Sequence, residues 1–339
     1  MSTAVIRAWI ILAGLSVAAY AGSATVASNT NSKSYYVGFG SASFPATPSS
    51  GLPAGWNLVN FDDSGWRATS FCRYPSWLNP LAMPPLSSTG AWWISTTVNC
   101  EFGDPSIPDF WLNDGRRGVY LFRKKFRAPG AITNVKATAA QASDNYAFLY
   151  VNGTLVLEPK GVIQQFRNYV PEVGPSTGPV PANLLACENI LAAEVQNGGE
   201  APVFPNGPVG LVFSLQIDYE TPNVDWKAPI AKEHFKVPGN GAAPIRFALT
   251  TPDGRDIPNA LGVYLAVYGP SADETWGPLV ARWDLGEGPE NLRFHKTYMA
   301  LLQARKYPLQ DGATYTAVVR DACTNDVLGS VQFTVRGGK

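Results

Sequence analysis

The chain has 339 residues, enough for two or three domains and a substantial core without stapling. Its 26 basic residues are matched by 26 acidic ones, so no long-range field gathers nucleic acid or an acidic membrane, and nucleic-acid binding is set aside. Charged residues make up only 15% while aromatics reach 12%, with 32 Gly and 28 Pro, a composition that favours short strands and tight turns over helices.

Residues 1–21 read as a signal peptide: Arg7 precedes an apolar run from Ala8 to Ala19, which ends in Ala19-Tyr20-Ala21 with small residues at cleavage-type positions. The run is shorter than the roughly 20 residues a spanning helix needs, and no later segment is apolar enough to cross a bilayer, so the expected location is secreted, extracellular or on a cell surface. Residues 22–34 are small and polar without periodicity and read as a flexible spacer. A first domain is expected over 35–219. Its strands are Val119–Phe126, with Phe122 and Phe126 on one face, Ala147–Val151, Asn189–Val195 and Leu211–Ile217. Asn152-Gly153 tolerates the positive φ of a tight hairpin turn, so Leu155–Leu157 should return beside Ala147–Val151. Residues 220–232 are polar and Pro-containing and read as an interdomain linker. A second all-β domain is expected over 233–337, with strands Ile245–Thr250, Val263–Tyr268, Tyr315–Val319 and Ser330–Val335 and a turn at Pro252-Asp253-Gly254.

Three motifs stand in order: Phe61-Asp62-Asp63-Ser64-Gly65-Trp66, then Ala147-Phe148-Leu149-Tyr150-Val151-Asn152-Gly153, then Gly207-Pro208-Val209-Gly210-Leu211-Val212-Phe213. This series resembles the galactose-binding-like jelly-roll β-sandwich that accompanies many secreted glycoside hydrolases. The second domain is similar to immunoglobulin-like β-sandwich modules of bacterial surface proteins, through Ala243-Pro244-Ile245-Arg246-Phe247-Ala248-Leu249 and the turn after it. The resemblance implies an all-β chain of two sandwiches and a non-catalytic carbohydrate-binding or accessory role. It departs from the family's usual pattern in one respect: no stretch of these 339 residues reads as the hydrolase domain that normally accompanies such a sandwich.

The residues carry little catalytic chemistry. Asp62 and Asp63 are adjacent, whereas glycoside hydrolysis needs two carboxyl groups about 5–9.5 Å apart across one bond. They are expected to hold an Asx-type turn while Trp66 fixes the loop in the core. Gly-x-Ser-x-Gly is absent, and the two His residues, His234 and His295, fall in the second domain, so neither nucleophilic catalysis nor a zinc site has support. No cofactor is expected, with Ca²⁺ left open because the loop from Glu101 to Asp114 is rich in oxygen ligands without a recognised calcium spacing. The four cysteines fit an oxidising compartment. A Cys72 to Cys100 bridge would close the loop between them, and Cys323 is left as a candidate free thiol.

That loop is the informative part. Trp77, Trp92, Trp93, Phe110 and Trp111 lie among Pro, Ser, Asn and Gly, with Asn113, Asp114, Arg116 and Arg117 close behind. Sugars offer apolar C–H faces and hydroxyl edges, so aromatic platforms beside amide, carboxylate and guanidinium groups suit them. Trp77, Trp92, Trp93, Trp111, Asn113, Asp114 and Arg116 are therefore the candidate carbohydrate-binding residues, and adjacent Trp92 and Trp93 should face opposite ways. Asn152-Gly153-Thr154 is also a glycosylation sequon, although Asn-Gly has reason enough to be there for the turn.

The expectation is a secreted protein that binds a polysaccharide or glycoprotein glycan at a cell surface or in extracellular matrix and is not an enzyme. The alternative is a structural or adhesion subunit of a surface-protein assembly, with the sandwiches as spacers and the apolar loop as a protein interface. A hydrolase with an unrecognised site comes last.

Overall fold

The computed structural model describes residues 21–28, 31–38, 48–71, 86, 91–92, 94–95, 118–144, 146–159, 176–197, 210–231, 236–238, 241–270, 276–303, 305–307 and 309–336. They form strands, with 3-10 conformation at Ala182–Leu184 and at Leu86 and no α-helix among the described residues. The chain is all-β and divides into two compact units, one on Ala21–Pro129 and Asn134–Tyr219, the other on Gly130–Thr133 and Glu220–Lys339.

The first unit contains β1 (Ala21–Ala27), β2 (Lys33–Gly38), β3 (Arg67–Ala68), β4 (Ser70–Phe71), β5 (Ile94–Ser95), β6 (Gly118–Arg127), β7 (Thr133–Asp144), β8 (Tyr146–Val151), β9 (Thr154–Leu157), β10 (Ser176–Val180), β11 (Glu188–Asn197) and β12 (Gly210–Glu220). One sheet runs β10-β7-β12-β5-β4 with β1 also paired to β12; the other runs β3-β2-β6-β11-β8-β9. Side chains alternate across each strand, so each sheet sends every second residue inward. Val26, Ala137, Ala139, Leu211, Phe213 and Leu215 from the first sheet meet Phe122, Leu149, Val151, Leu191 and Val195 from the second in one core. This is a two-layer β-sandwich. The hairpin expected at Asn152-Gly153 is present, with φ of 47° and 86° at its two turn residues and Val151 opposite Thr154.

The second unit contains β13 (Asn223–Lys227), β14 (Lys236–Pro238), β15 (Ala242–Thr250), β16 (Val263–Tyr268), β17 (Leu279–Asp284), β18 (Arg293–His295), β19 (Thr297–Gln303), β20 (Thr314–Asp321) and β21 (Val327–Arg336). Its sheets run β13-β15-β19-β18 and β14-β21-β20-β16-β17, with β14 parallel to β21. In chain order this is the A-B-E-D sheet facing the G-F-C sheet of an immunoglobulin-like sandwich. Ile245, Phe247 and Tyr298 from one sheet pack on Leu265, Trp283, Ala317 and Phe333 from the other. Tyr315, near the start of β20, accepts a 2.8 Å hydrogen bond on its hydroxyl from the Gln310 backbone N–H, the corner tyrosine of that fold. Asp321, 1% exposed, ends β20 by accepting from the backbone N–H groups of Ala131, Cys323 and Thr324 at 2.6, 2.7 and 2.8 Å.

Three expectations need revision. Residues 22–34, read as a spacer, carry β1 and the start of β2. Small residues hide the strand: Gly22 is required because a Cβ there would lie 2.6 Å from the Tyr219 ring, and Val26 alone supplies a large buried side chain. Residues 220–232, read as a linker, carry β13, whose Trp226 ring packs 5.6 Å from that of Phe247. Cys323 is not a free thiol: it and Cys187 are both disulfide-bonded. Cys72 and Cys100 lie outside the described residues.

Candidate functional site

The first two sequence motifs meet on the outer face of β2, β6, β11 and β8. Asp62 is exposed, and its Oδ1 accepts the Ser64 backbone N–H at 2.9 Å in an Asx turn. That bond and a second one from the Ser64 side chain hold its carboxyl below the usual 3.8. Asp63 does something else. Its Oδ2 takes a 2.6 Å hydrogen bond from Arg123 Nη1, and its Oδ1 receives Lys33 Nζ at 3.1 Å. Arg123, 1% exposed on β6, also donates to the carbonyls of Phe61 and Leu58 and lies 5.0 Å from the Phe61 ring centroid. Burial pushes this guanidinium below its ordinary pKa, and Asp63 opposes the shift. Trp66 stacks on Tyr35 at 5.4 Å.

The same loop reaches the hairpin. Leu58 covers Gly153 so closely that a Cβ there would meet Leu58 Cδ2 at 2.6 Å. Asn152 uses its whole amide: Nδ2 donates to the Leu184 carbonyl and to Asn189 Oδ1 at 2.6 and 2.8 Å, and Oδ1 accepts the Ile190 N–H at 2.8 Å. A glycan on Nδ2 would displace one of those bonds. Both motifs thus build a cover for the sheet, and neither acid faces a partner carboxylate across a cleft among the described residues.

Further along this face Glu194 of β11 is fully buried, with Oε1 accepting from the Ser49 N–H and from Gln196 Nε2, each at 2.8 Å. Its Oε2 has no hydrogen-bond partner among the described residues. On the neighbouring strand β8, opposite Ala192, Tyr150 is 8% exposed, and burial, then the charges of Glu194 and Glu158, raise its phenol well above 10.0. No motif pointed to Arg123 or Glu194, since each reads as an ordinary residue of a strand.

Of the candidate carbohydrate-binding residues, Trp92 is described; Trp77, Trp93, Trp111, Asn113, Asp114 and Arg116 lie outside the described residues, as does the Glu101 to Asp114 loop considered for Ca²⁺. Trp92 is 52% exposed. Its backbone is tied at both ends to Ser28, whose carbonyl accepts the Trp92 N–H at 3.1 Å and whose Oγ donates to the Trp92 carbonyl at 2.6 Å. Ser28, fully buried after β1, is itself bonded to β12, donating its N–H to the Phe213 carbonyl at 2.9 Å and accepting the Phe213 N–H on Oγ at 3.2 Å. Beside it Leu86 and Ala91 pack on Ala140, Ala142 and Val212, the outward residues of β7 and β12. Trp92 is thus a half-exposed indole whose backbone is held on both sides, and an exposed aromatic face can receive the apolar face of a sugar ring. Ser28 escaped notice in the sequence because nothing local marks a serine that bridges residues 64 and 185 positions away.

Among the described residues no group of three or more His, Cys, Asp or Glu side chains could hold a metal ion, and no helix is long and apolar enough to cross a membrane.

No family model matches the chain, and no curated protein does. Solved structures with some likeness include a Bacteroides uniformis β-glucuronidase, at 14% identity over 92% of this chain and 32% of the other with a TM-score of 0.31. A glycosyl hydrolase family 2 member from Bacteroides cellulosilyticus DSM 14838 shows 13% identity over 92% of this chain and 36% of the other, with a TM-score of 0.31. An FMN-binding β-glucuronidase from Facaelibacterium prausnitzii L2-6 shows 14% identity over 93% of this chain and 40% of the other, with a TM-score of 0.26. The chain thus spans about a third of the first two. At that distance nothing about activity, substrate or site passes to it.

Proposed function

We propose that this chain is a secreted, non-catalytic carbohydrate-binding protein of a cell surface or extracellular matrix, built on a galactose-binding-like sandwich followed by an immunoglobulin-like module. The observation that carries the reading is Trp92, a half-exposed indole on a rigid backbone mount outside the sandwich, in the segment richest in tryptophan. Its half-exposed indole offers an apolar ring face, and a pyranose ring face is the right shape to stack on it. Two further observations support the reading. The acids of the Asp62-Asp63 pair are occupied by a turn and by Arg123, which leaves them no part in glycosidic bond cleavage. The disulfide-bonded state of Cys187 and Cys323 suits an oxidising compartment.

The test is a glycan array probed with the full chain, run beside hydrolysis assays on chromogenic glycosides. The expected result is selective retention of one glycan class with no turnover. Turnover of any glycoside would defeat the non-catalytic reading, and an ordered polymer with no glycan retention would favour a structural subunit of a surface assembly.

A further inference from the structure

The second unit carries an aromatic and cationic layer on the outer face of β17, β16 and β20. Leu265 and Val267 of β16 enter the core, so Tyr264, Ala266 and Tyr268 face away from it; the same alternation turns Arg282 and Asp284 of β17, and Val318 and Arg320 of β20, outward. Tyr264 lies opposite both Asp284 and Arg320, and Ala266 lies opposite both Arg282 and Val318. Ala266 and Val318 are nevertheless fully buried. Small side chains at the centre of an outward face are hidden only when longer neighbours lie flat across them, and rings and guanidinium groups surround these two.

The two arginines differ in what they lack. Arg282 sits 3.9 Å over the Tyr264 ring and is bonded to Asp284, with Nη2 to Oδ1 at 2.6 Å. Its charge is answered within the face. Arg320 lies 4.9 Å from the Trp276 ring centroid and 5.8 Å from that of Tyr268, and donates through Nη1 to the Asn325 carbonyl at 2.6 Å. It forms no ion pair among the described residues. Its Nε is buried without a hydrogen-bond partner. A guanidinium held flat by two rings is preorganised for a planar anion, and a carboxylate matches its fork in a way that a neutral hydroxyl does not.

We propose that this face is a docking strip for a carboxylate-bearing polysaccharide, a chain of uronate residues, with the carboxylate on Arg320 and the sugar ring against Trp276 and Tyr268. The choice of occupant follows from charge complementarity and shape. Among the described residues the strip offers one cation without an ion pair, set between aromatic rings, and Leu279 is its one strongly exposed aliphatic side chain, which is too little apolar surface for the core of a protein interface. The inference stands on the second unit alone and does not rest on Trp92.

The experiment uses the full chain with polygalacturonate, neutral pullulan and dextran sulfate, read by affinity electrophoresis and calorimetry. Polygalacturonate is expected to bind and pullulan not to; Arg320→Gln and Trp276→Ala should each weaken binding by about tenfold or more, Arg320→Lys by less than Arg320→Gln, and Arg246→Gln, exposed on the other sheet of the unit, should leave it unchanged. Hydroxyl-radical footprinting of the wild-type chain, which needs no variant to fold, should show Tyr268 and Trp276 protected by polygalacturonate. Absence of binding, equal binding of dextran sulfate, loss of polygalacturonate binding in Arg246→Gln, or no protection at Tyr268 and Trp276 would each overturn the proposal. The Trp92 reading is tested by its own variant, Trp92→Ala, so either can fail without the other.

Discussion

Asp63 and Arg123 form the central polar contact of the first unit, and their burial decides what removing one of them does. Arg123 is 1% exposed and draws four residues together: Asp63 through its carboxylate, Phe61 and Leu58 through their carbonyls, and Trp66 through its ring. Truncating Asp63 to Ala leaves that cation buried without its counter-charge, and the expected loss is about 3 kcal/mol in urea unfolding. Replacing both partners with apolar residues, Asp63→Leu with Arg123→Met, should cost less than the single change, because no buried charge is then left over. Tyr150 supplies a second expectation. An unfolded chain ionises this phenol near 10.0, whereas in the folded protein burial and the nearby carboxylates hold the proton on at higher pH. Stability is then undiminished below about pH 10 and falls as pH rises beyond it, toward the higher folded pKa. In a spectrophotometric titration at alkaline pH, Tyr150 should stay silent until the chain unfolds, and Tyr150→Phe should leave the early part of the curve unchanged. At this scale the Asx turn at Asp62 was legible because its partner lies two residues away. The roles of Arg123, Glu194 and Ser28 were not, since their partners lie 60, 145 and 185 positions distant and meet only through strand register.

The hairpin of β8 and β9 shows an element whose turn and cover specify each other. Gly153 combines a φ of 86° with a Leu58 methyl where a Cβ would sit, so Gly153→Ala should cost more than about 1 kcal/mol, read as a lower unfolding midpoint. The same change should loosen the Asp62-Asp63 loop, seen as faster amide exchange at Trp56 and Leu58. Strands rich in branched and aromatic residues, β6, β8, β11, β12, β16 and β20, were readable to within a few residues. Others were not, each for a physical reason. β7 is covered on both faces and fills them with alanine, Ala137 and Ala139 inward and Ala140 and Ala142 outward, so it shows neither bulk nor polar alternation. β19 carries Met299, Ala300, Leu301 and Leu302, good helix formers, and is held as a strand by pairing with β15 along six residues. β1 and β13 hid in polar, small-residue stretches, where Val26 in the one and Val224 with Trp226 in the other were the larger apolar residues to read.

Across the whole molecule, the two sandwiches spend their reactive side chains on structure: acids in turns, in the Arg123 pair and in the Asp321 cap, and no metal-holding cluster among the described residues. What they offer outward is aromatic. The segment bonded to Ser28 exposes Trp92, and the outer side of β16 and β20 carries Tyr268 beside Trp276. The proposed sugar recognition rests on these aromatic surfaces. The most direct measurement is calorimetric titration of the best array glycan into the wild-type chain and into Trp92→Ala, with thermal unfolding of both as the control. Affinity about tenfold weaker in the variant, at an unchanged unfolding temperature, is the predicted result; equal affinity in the two proteins would contradict the claim that this tryptophan meets the ligand.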